Sequence, residues 1–204
     1  MHIWKRNHQV GPATLQHQFM TCNLSLHPVV QSDIADLQKM ARQIWQQCFL
    51  AFLSQEQIEY MLPMMYGEAV IKKEIQRGFR WQWILATPDS QYFAEERKKE
   101  NLRRVGYVST EHLEYAMYLN KLYILPQFHR KGYASQVLET LKAQAKEAQK
   151  PEIHLNVNKH NKNALRAYQK AGFTIIKEEC NDIGGGFVMD DYVMSCKINL
   201  DCEK

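Results

Sequence analysis

His129-Arg130-Lys131-Gly132-Tyr133-Ala134-Ser135, and about thirty residues further on Asn161-Lys162-Asn163-Ala164-Leu165-Arg166-Ala167-Tyr168-Gln169-Lys170-Ala171-Gly172-Phe173, decide the fold of this 204-residue chain. An apolar run at 122–125 reads as a strand leading into the first segment, and an amphipathic helical pattern leaves it. A small turn at a helix N-terminus aims unpaired backbone N–H groups and the positive end of the helix dipole at one anion. The first segment therefore reads as a pyrophosphate cradle. The second places Ala164 and Tyr168 four residues apart, on one helical face.

Outward from these segments the pattern predicts one domain over 22–204, preceded by an extension at 1–21 in which Met20 stands as an alternative start. Residues 24–30 alternate as a strand. Ser32 is expected to cap a helix carrying Ile34, Leu37, Ala41, Ile44, Trp45 and Cys48. Ser54, with Gln57 three residues on, caps a second helix carrying Ile58, Met61, Leu62 and Met65, which Pro63 is expected to kink or interrupt. Residues 70–77 read as a further helical turn or two, closed by Gly78. Three aromatic and β-branched runs at 79–86, 104–110 and 115–125 read as successive strands. Then follow a helix at 132–149, a buried strand at 152–158, a helix at 161–171, and a hairpin of 173–180 with 187–198 around Gly184-Gly185-Gly186.

Composition excludes several classes. The chain carries 26 basic against 22 acidic side chains, net +4, too balanced to form a nucleic-acid footprint by itself. The cluster Arg97, Lys98, Lys99, Arg103 and Arg104 is interrupted by Glu100 and reads as a solvated hairpin face. The five cysteines, Cys22, Cys48, Cys180, Cys196 and Cys202, have no CxxC spacing, so neither a metal site nor a disulfide framework is indicated and a reducing cytoplasm is expected. No secretory segment or 18-residue apolar run appears, so no membrane partner is expected.

The two motifs together resemble the GNAT family of N-acetyltransferases. Its cofactor motif (Gln or Arg, two residues, Gly, one residue, Gly or Ala) falls on His129, Gly132 and Ala134, with histidine departing from the pattern at the first position. Its second motif is matched in full by Asn161, Ala164, Tyr168, Gly172 and Phe173. The resemblance implies an α/β (α+β) fold: a mixed, mostly antiparallel sheet of about six to seven strands flanked by helices, with a parallel strand pair splayed at the acetyl-CoA site. It implies acetyl-CoA as cosubstrate, held by Leu122, Tyr123, Ile124, His129, Arg130, Lys131, Gly132, Tyr133, Ala134, Ser135, Asn156, Asn161, Ala164 and Tyr168. The cradle contacts in this family are mostly backbone N–H groups, and His129 can still donate through its ring. Backbone groups of about Leu122 and Ile124 are expected to face the splay, bind the pantetheine arm and steady the developing oxyanion. Asn161 reads as a pantetheine contact or a helix cap. Dimers are common among relatives, so a homodimer is an open expectation.

Acyl transfer to an amine needs a neutral nitrogen, a polarised carbonyl and a proton for the departing thiolate. By resemblance Tyr168 is the general acid, since a phenol with pKa about 10 keeps its proton at neutral pH. An alkyl ammonium is only about one part in a thousand neutral at pH 7.4, so a base helps. In the histone-modifying branch of the family a glutamate stands eleven residues before the first cradle position; here that position is Tyr118, and the role does not carry over. Glu111, Glu114, Asp190 and Asp191 remain as alternatives, with Glu114 and Asp191 taken forward as catalytic residues beside Tyr168. The helices after the first strand usually roof the acceptor cavity in this family, which brings Tyr60, Met61, Met64, Met65 and Tyr66 toward it; core packing is the other use of such a cluster. The leading function is acetylation of a small primary amine: a polyamine, amino acid derivative or amino sugar. A protein lysine or N-terminal acetyltransferase, which needs an open groove, and a noncatalytic acyl-CoA-binding module are the alternatives.

Overall fold

The computed structural model describes residues 24–86 and 102–200. The extension at 1–21, the cysteines Cys22 and Cys202, and Arg97, Lys98, Lys99 and Glu100 lie outside the described residues. Strand β1 (Leu24–Pro28) is followed by helices α1 (Ile34–Cys48), α2 (Gln55–Tyr66) and α3 (Glu68–Gln76). Strands β2 (Arg80–Ala86), β3 (Arg103–His112) and β4 (Met117–Ile124) form an antiparallel meander. Helix α4 (Tyr133–Glu147), β5 (Glu152–Asn158), α5 (Lys162–Lys170), β6 (Thr174–Gly184) and β7 (Phe187–Lys197) complete the chain. The seven strands lie in the order β1-β2-β3-β4-β5-β7-β6, and β4 with β5 is the single parallel pairing among them. This is the mixed α/β sheet expected from the motifs. Among the described residues no helix is long and apolar enough to cross a membrane.

Each face of the sheet has its own core. Val137, Leu138 and Leu141 of α4 pack on Ile84, Val108, Met117, Ile153 and Leu155, with α5 seated against the same face through Ala164, Leu165 and Tyr168. On the other face Leu37, Ile44 and Trp45 of α1 and Ile58, Met61 and Leu62 of α2 pack on Trp81, Trp83 and Tyr107. Fully burying side chains of this size contributes about 1.5–3 kcal/mol each, so each helix layer is held chiefly by its apolar stripe.

Three local expectations are corrected. Ser32 does not cap α1; residues Gln31–Asp33 form a 3-10 turn, and Asp33 accepts the Val30 N–H at 3.1 Å and the Trp83 indole N–H at 3.0 Å. Arg104 is not part of a solvated face: its guanidinium bonds Asp33 at 2.7 Å and Asp36 at 2.8 Å and lies 4.3 Å from the Trp83 ring, fastening the start of α1 to β3. These hydrogen bonds hold the Asp33 carboxyl below its ordinary value against the opposing effect of burial, the largest single influence. Helix α2 runs through Pro63 without a break. Pro63 is exposed, so the carbonyl it leaves without an amide partner is on the solvent side. Ser54 caps α2 as expected, accepting the Gln57 N–H at 3.1 Å.

Two irregularities in β4 and its neighbour shape the cleft. The β3–β4 register passes from Ser109↔Lys121 to Thr110↔Leu119, so Asn120 is a bulge and reverses which face the later side chains meet. Met117 and Leu119 before it, and Leu122 and Ile124 after it, all reach the α4 side, while Lys121 and Tyr123 turn toward α1 and α2. Gly106, opposite Ile124, sits where a Cβ would overlap the Tyr123 carbonyl oxygen and press on the Ile124 Cα at 3.0 Å. Both atoms are backbone and cannot rotate away. Gly106→Ala is expected to destabilise the protein by at least about 2 kcal/mol in chemical denaturation, an overpacking cost imposed on the end of β4.

Candidate active site

The turn from β4 into α4 is shaped for an anion. After a 3-10 turn at Pro126–Phe128, Arg130 (φ 63°) and Gly132 (φ 80°) both take left-handed conformations, which fold the backbone tightly before the helix. The first intrahelical bond of α4 is from the Gln136 N–H to the Gly132 carbonyl at 3.1 Å. Ala134 and Ser135, ahead of it, have no acceptor within the helix, and the positive end of the helix dipole lies beside them. His129 behaves differently from the expectation that its ring would donate into the cradle. Its Nε2 donates to the Ile124 carbonyl at 2.8 Å, folding the side chain back on the end of β4.

β4 and β5 form a wedge. Their parallel pairing comprises Met117↔Ile153, Tyr118↔His154 and Leu119↔Leu155 and then lapses, although β4 continues to Ile124 and β5 to Asn158. Leu125 donates its N–H to Val105 at 2.8 Å, so by alternation Tyr123 serves the β3 ladder while Leu122 and Ile124 turn their backbone groups into the gap. The Ile124 carbonyl is taken by His129, which leaves the Leu122 N–H and C=O and the Ile124 N–H facing the opening. The Tyr123 side chain lies among aromatic rings, 5.5 Å from Tyr107 and 5.9 Å from Phe49.

Beyond the wedge, Asn161 caps α5, its Oδ1 accepting the Ala164 N–H at 3.2 Å; of the two roles open to it, capping is the one visible. Tyr168 lines the cleft, its ring packed 5.6 Å from Phe173. Desolvation pushes its phenol well above the ordinary value, so it holds its proton across the neutral range.

The face of the sheet under α1 and α2 is polar at its centre. Tyr118 donates to Asn156 Oδ1 at a long 3.4 Å, and Asn156 Nδ2 donates to Glu179 at 3.3 Å. The Asn156 side chain thus joins a network on the acceptor side of the sheet. Burial, reinforced by Asp191 and Glu179, pushes the Tyr118 phenol up to about 12. Asp191 is 6% exposed; its carboxylate has no hydrogen bond or ion pair among the described residues, and burial with the nearby Asp190 and Glu179 charges raises it to about 6. Asp190 is committed elsewhere, 2.5 Å from Lys159, which also meets Glu178 at 3.0 Å. Glu114 is exposed in the β3–β4 turn, where its backbone carbonyl accepts Lys150, and Glu111 lies 4.0 Å from Arg77; neither lines the cleft. Lys121, which sequence reasoning missed, is 6% exposed and lines the cleft from the β4 bulge. The consecutive polar pair Asn120-Lys121 inside an alternating strand was the signal for it.

Helix α2 and the β6–β7 tip meet over this side. Tyr60 of α2 donates to the Ile183 carbonyl at 2.8 Å, Gln57 donates to the Val188 carbonyl at 2.9 Å, and the Tyr60 ring lies 5.3 Å from Phe187. The β6–β7 tip is thereby clamped to α2. Gly184 and Gly185, at φ 84° and 62°, allow the tip to meet Tyr60: a Cβ at Gly184 would overlap the Tyr60 hydroxyl at 2.6 Å, and one at Gly185 would press on the ring at 3.0 Å. Of the five residues expected around the acceptor, Met61 and Met65 line the cleft, Tyr60 makes the clamp, Met64 is exposed, and Tyr66 is buried with its hydroxyl accepting from Tyr107 at 2.9 Å. The resulting cleft, about 1250 Å³, runs unbroken from the cradle past the wedge and Tyr168 to α2. An anion cradle joined to a slot with exposed backbone groups fits a long ligand carrying pyrophosphate at one end and an amide-rich arm at the other, the form of coenzyme A.

Comparisons agree with this geometry. The acetyltransferase (GNAT) family profile matches residues 41–173. Among solved structures, the PaiA N-acetyltransferase of Thermoplasma acidophilum in complex with coenzyme A is similar, with TM-score 0.65 and 20% identity over 86% of this chain and 99% of that one. A GCN5-related N-acetyltransferase of Rhodopseudomonas palustris has TM-score 0.66 and 16% identity over 87% and 98%. The ribosomal-protein-S18-alanine N-acetyltransferase of Escherichia coli has TM-score 0.60 and 15% identity over 89% and 98%. No curated protein sequence matches the chain. With the profile spanning well over half of its length, the chain belongs to the GNAT acetyltransferase family of acetyl-CoA-dependent N-acetyltransferases.

Proposed function

We propose that the protein acetylates the primary amine of a small molecule. The observation that carries this reading is the clamp of the β6–β7 tip on α2 through Tyr60, Gln57 and Phe187, which joins the two elements beside the cleft at Gln57 and Val188 and narrows an open groove there. A lysine within a protein brings backbone on both sides of itself and needs an open groove, whereas a small amine enters a narrowed pocket whole.

Acetyl-CoA supplies, when bound, an acetyl group activated by a thiolate leaving group. The Gly132–Ser135 turn receives the pyrophosphate through backbone N–H groups, and the Leu122 and Ile124 amides align the arm and donate to the carbonyl oxygen as it gains charge. Asp191 draws the cationic amine and takes its proton, directly or through water. With a carboxyl near 6 it is ionised at neutral pH yet more basic than an ordinary aspartate. Tyr168 keeps its phenolic proton and gives it to the departing sulfur.

Acceptor-dependent release of free CoA thiol is expected with one or more of a panel of amino acids, amino sugars and polyamines, and not with lysine or N-terminal peptides. Turnover of peptides alone would reverse the assignment. Tyr168→Phe should lower kcat by about a hundredfold with coenzyme A affinity changed by less than about threefold in calorimetry; an unchanged kcat removes Tyr168 from the chemistry. Below about 6 Asp191 is protonated and cannot accept the amine proton, so kcat/KM should rise with pH through that value. In Asp191→Asn that limb should vanish, with kcat/KM at neutral pH lowered by about ten- to a hundredfold. A limb that persists in the variant places the base elsewhere.

A further inference from the structure

The end of the cleft under α1 and α2 holds buried hydrogen-bond donors that no acceptor within bonding distance meets. Lys121 is 6% exposed, and its Nζ makes one hydrogen bond among the described residues, to its neighbour Asn120 Oδ1 at 2.8 Å. An ammonium has three N–H groups to satisfy. The Asn120 Nδ2 and the Trp45 Nε1 are both buried without a hydrogen-bond partner. Lys121, Asn120 and Trp45 all line the cleft, and the Tyr66 ring is common to two of them, 5.9 Å from the Lys121 Nζ and 6.0 Å from the Trp45 ring.

The neighbouring carboxylate balances this set only in part. Glu74 of α3 accepts the Trp81 indole N–H at 2.9 Å and is close enough for the Lys121 charge and the Asn120 amide to lower its carboxyl, yet it bonds neither within hydrogen-bond distance. Burial raises the Glu74 carboxyl, which weakens its hold on its charge, and burial likewise lowers Lys121 to about 8, where the Glu74 charge opposes the fall. At neutral pH the lysine is still mostly cationic. Buried donors of this kind are costly unless an acceptor reaches them. The cleft is the route by which one can.

We infer that the acceptor bears an oxyanion, a carboxylate or phosphate, which binds Lys121, Asn120 and Trp45 while its amine faces Asp191. The pocket then has two poles of opposite sign on one face of the sheet, matching an amine and an acid in one small molecule. A polyamine puts a second cation against Lys121 and is disfavoured. The inference rests on the small-molecule reading and narrows it to amino-acid-like or amino-phosphate acceptors.

Matched pairs test it: amino acids against their amides, 4-aminobutyrate against butylamine, phosphoethanolamine against ethanolamine, with spermidine alongside. Acidic members should exceed their neutral partners in kcat/KM by at least about thirtyfold. The carboxylate and phosphate arms distinguish the two oxyanions. In Lys121→Met the preference ratio should fall at least about tenfold, chiefly through KM, with partial recovery in Lys121→Arg. Lys121→Gln repeats the test with a polar side chain should Lys121→Met fold poorly. Equal use of acids and neutral partners, or equal losses for both in the variants, overturns the inference. Calorimetric binding of the same probes to the coenzyme A complex separates the two claims. Peptide-only turnover with acids bound in a Lys121-dependent way sinks the small-molecule reading and keeps the oxyanion subsite; acids that bind no tighter than amides sink the subsite.

Discussion

Two parallel strands that part company after Leu119 and Leu155 are the constraint on which the site depends. A sheet interior ordinarily satisfies every backbone group, and leaving N–H and C=O unpaired is costly unless another partner arrives. Here the lapse lies between two ladders that continue past it, β3–β4, bulged at Asn120, on one side and β5–β7 on the other, so each strand is held in place by its outer neighbour. The opening is therefore a stable feature of the backbone. The cradle at Gly132, the α5 helix bearing Tyr168 and the polar face bearing Asp191 are all arranged around it.

Close backbone packing supports the wedge from behind. Gly106 lets β3 approach Tyr123 and Ile124 more tightly than any side chain permits, and His129 ties the Ile124 carbonyl to the start of the cradle. The histidine at the first motif position thus acts structurally, joining the end of β4 to the turn after it. Its backbone N–H is committed as well, donating to the Pro126 carbonyl at 3.0 Å.

The acceptor end is governed by burial of charge. Asp191 and Lys121 are each about as hidden as core residues, yet they sit on separate strands and carry opposite signs, and burial moves their pKa values toward one another. Such groups are expensive to keep inside a fold. The bulge at Asn120 is what delivers Lys121 to this face; uninterrupted alternation from Met117 and Leu119 would have driven it into the apolar layer under α4.

The sequence by itself determined the cradle, the Asn161–Phe173 helix and the meander, because each is local: a glycine turn before a helix, residues four apart on one helical face, alternating strands. Tyr168 and Asp191, which both line the cleft, were singled out from the sequence, one from its motif and one as an acidic residue at the start of a late strand. What only the tertiary structure decided is long-range. Glu114 and Asp191 looked alike as acidic residues near strand ends, but one faces solvent in a turn and the other lies buried in the cleft. Arg104 read as part of a surface charge run and proved to be the fastening between β3 and α1, since its partners Asp33 and Asp36 are about seventy residues away. The α2–hairpin clamp joins Tyr60 to Ile183 across more than a hundred residues. No periodicity encodes such contacts, because they join elements far apart in the chain that only the folded sheet and its helix layers bring together.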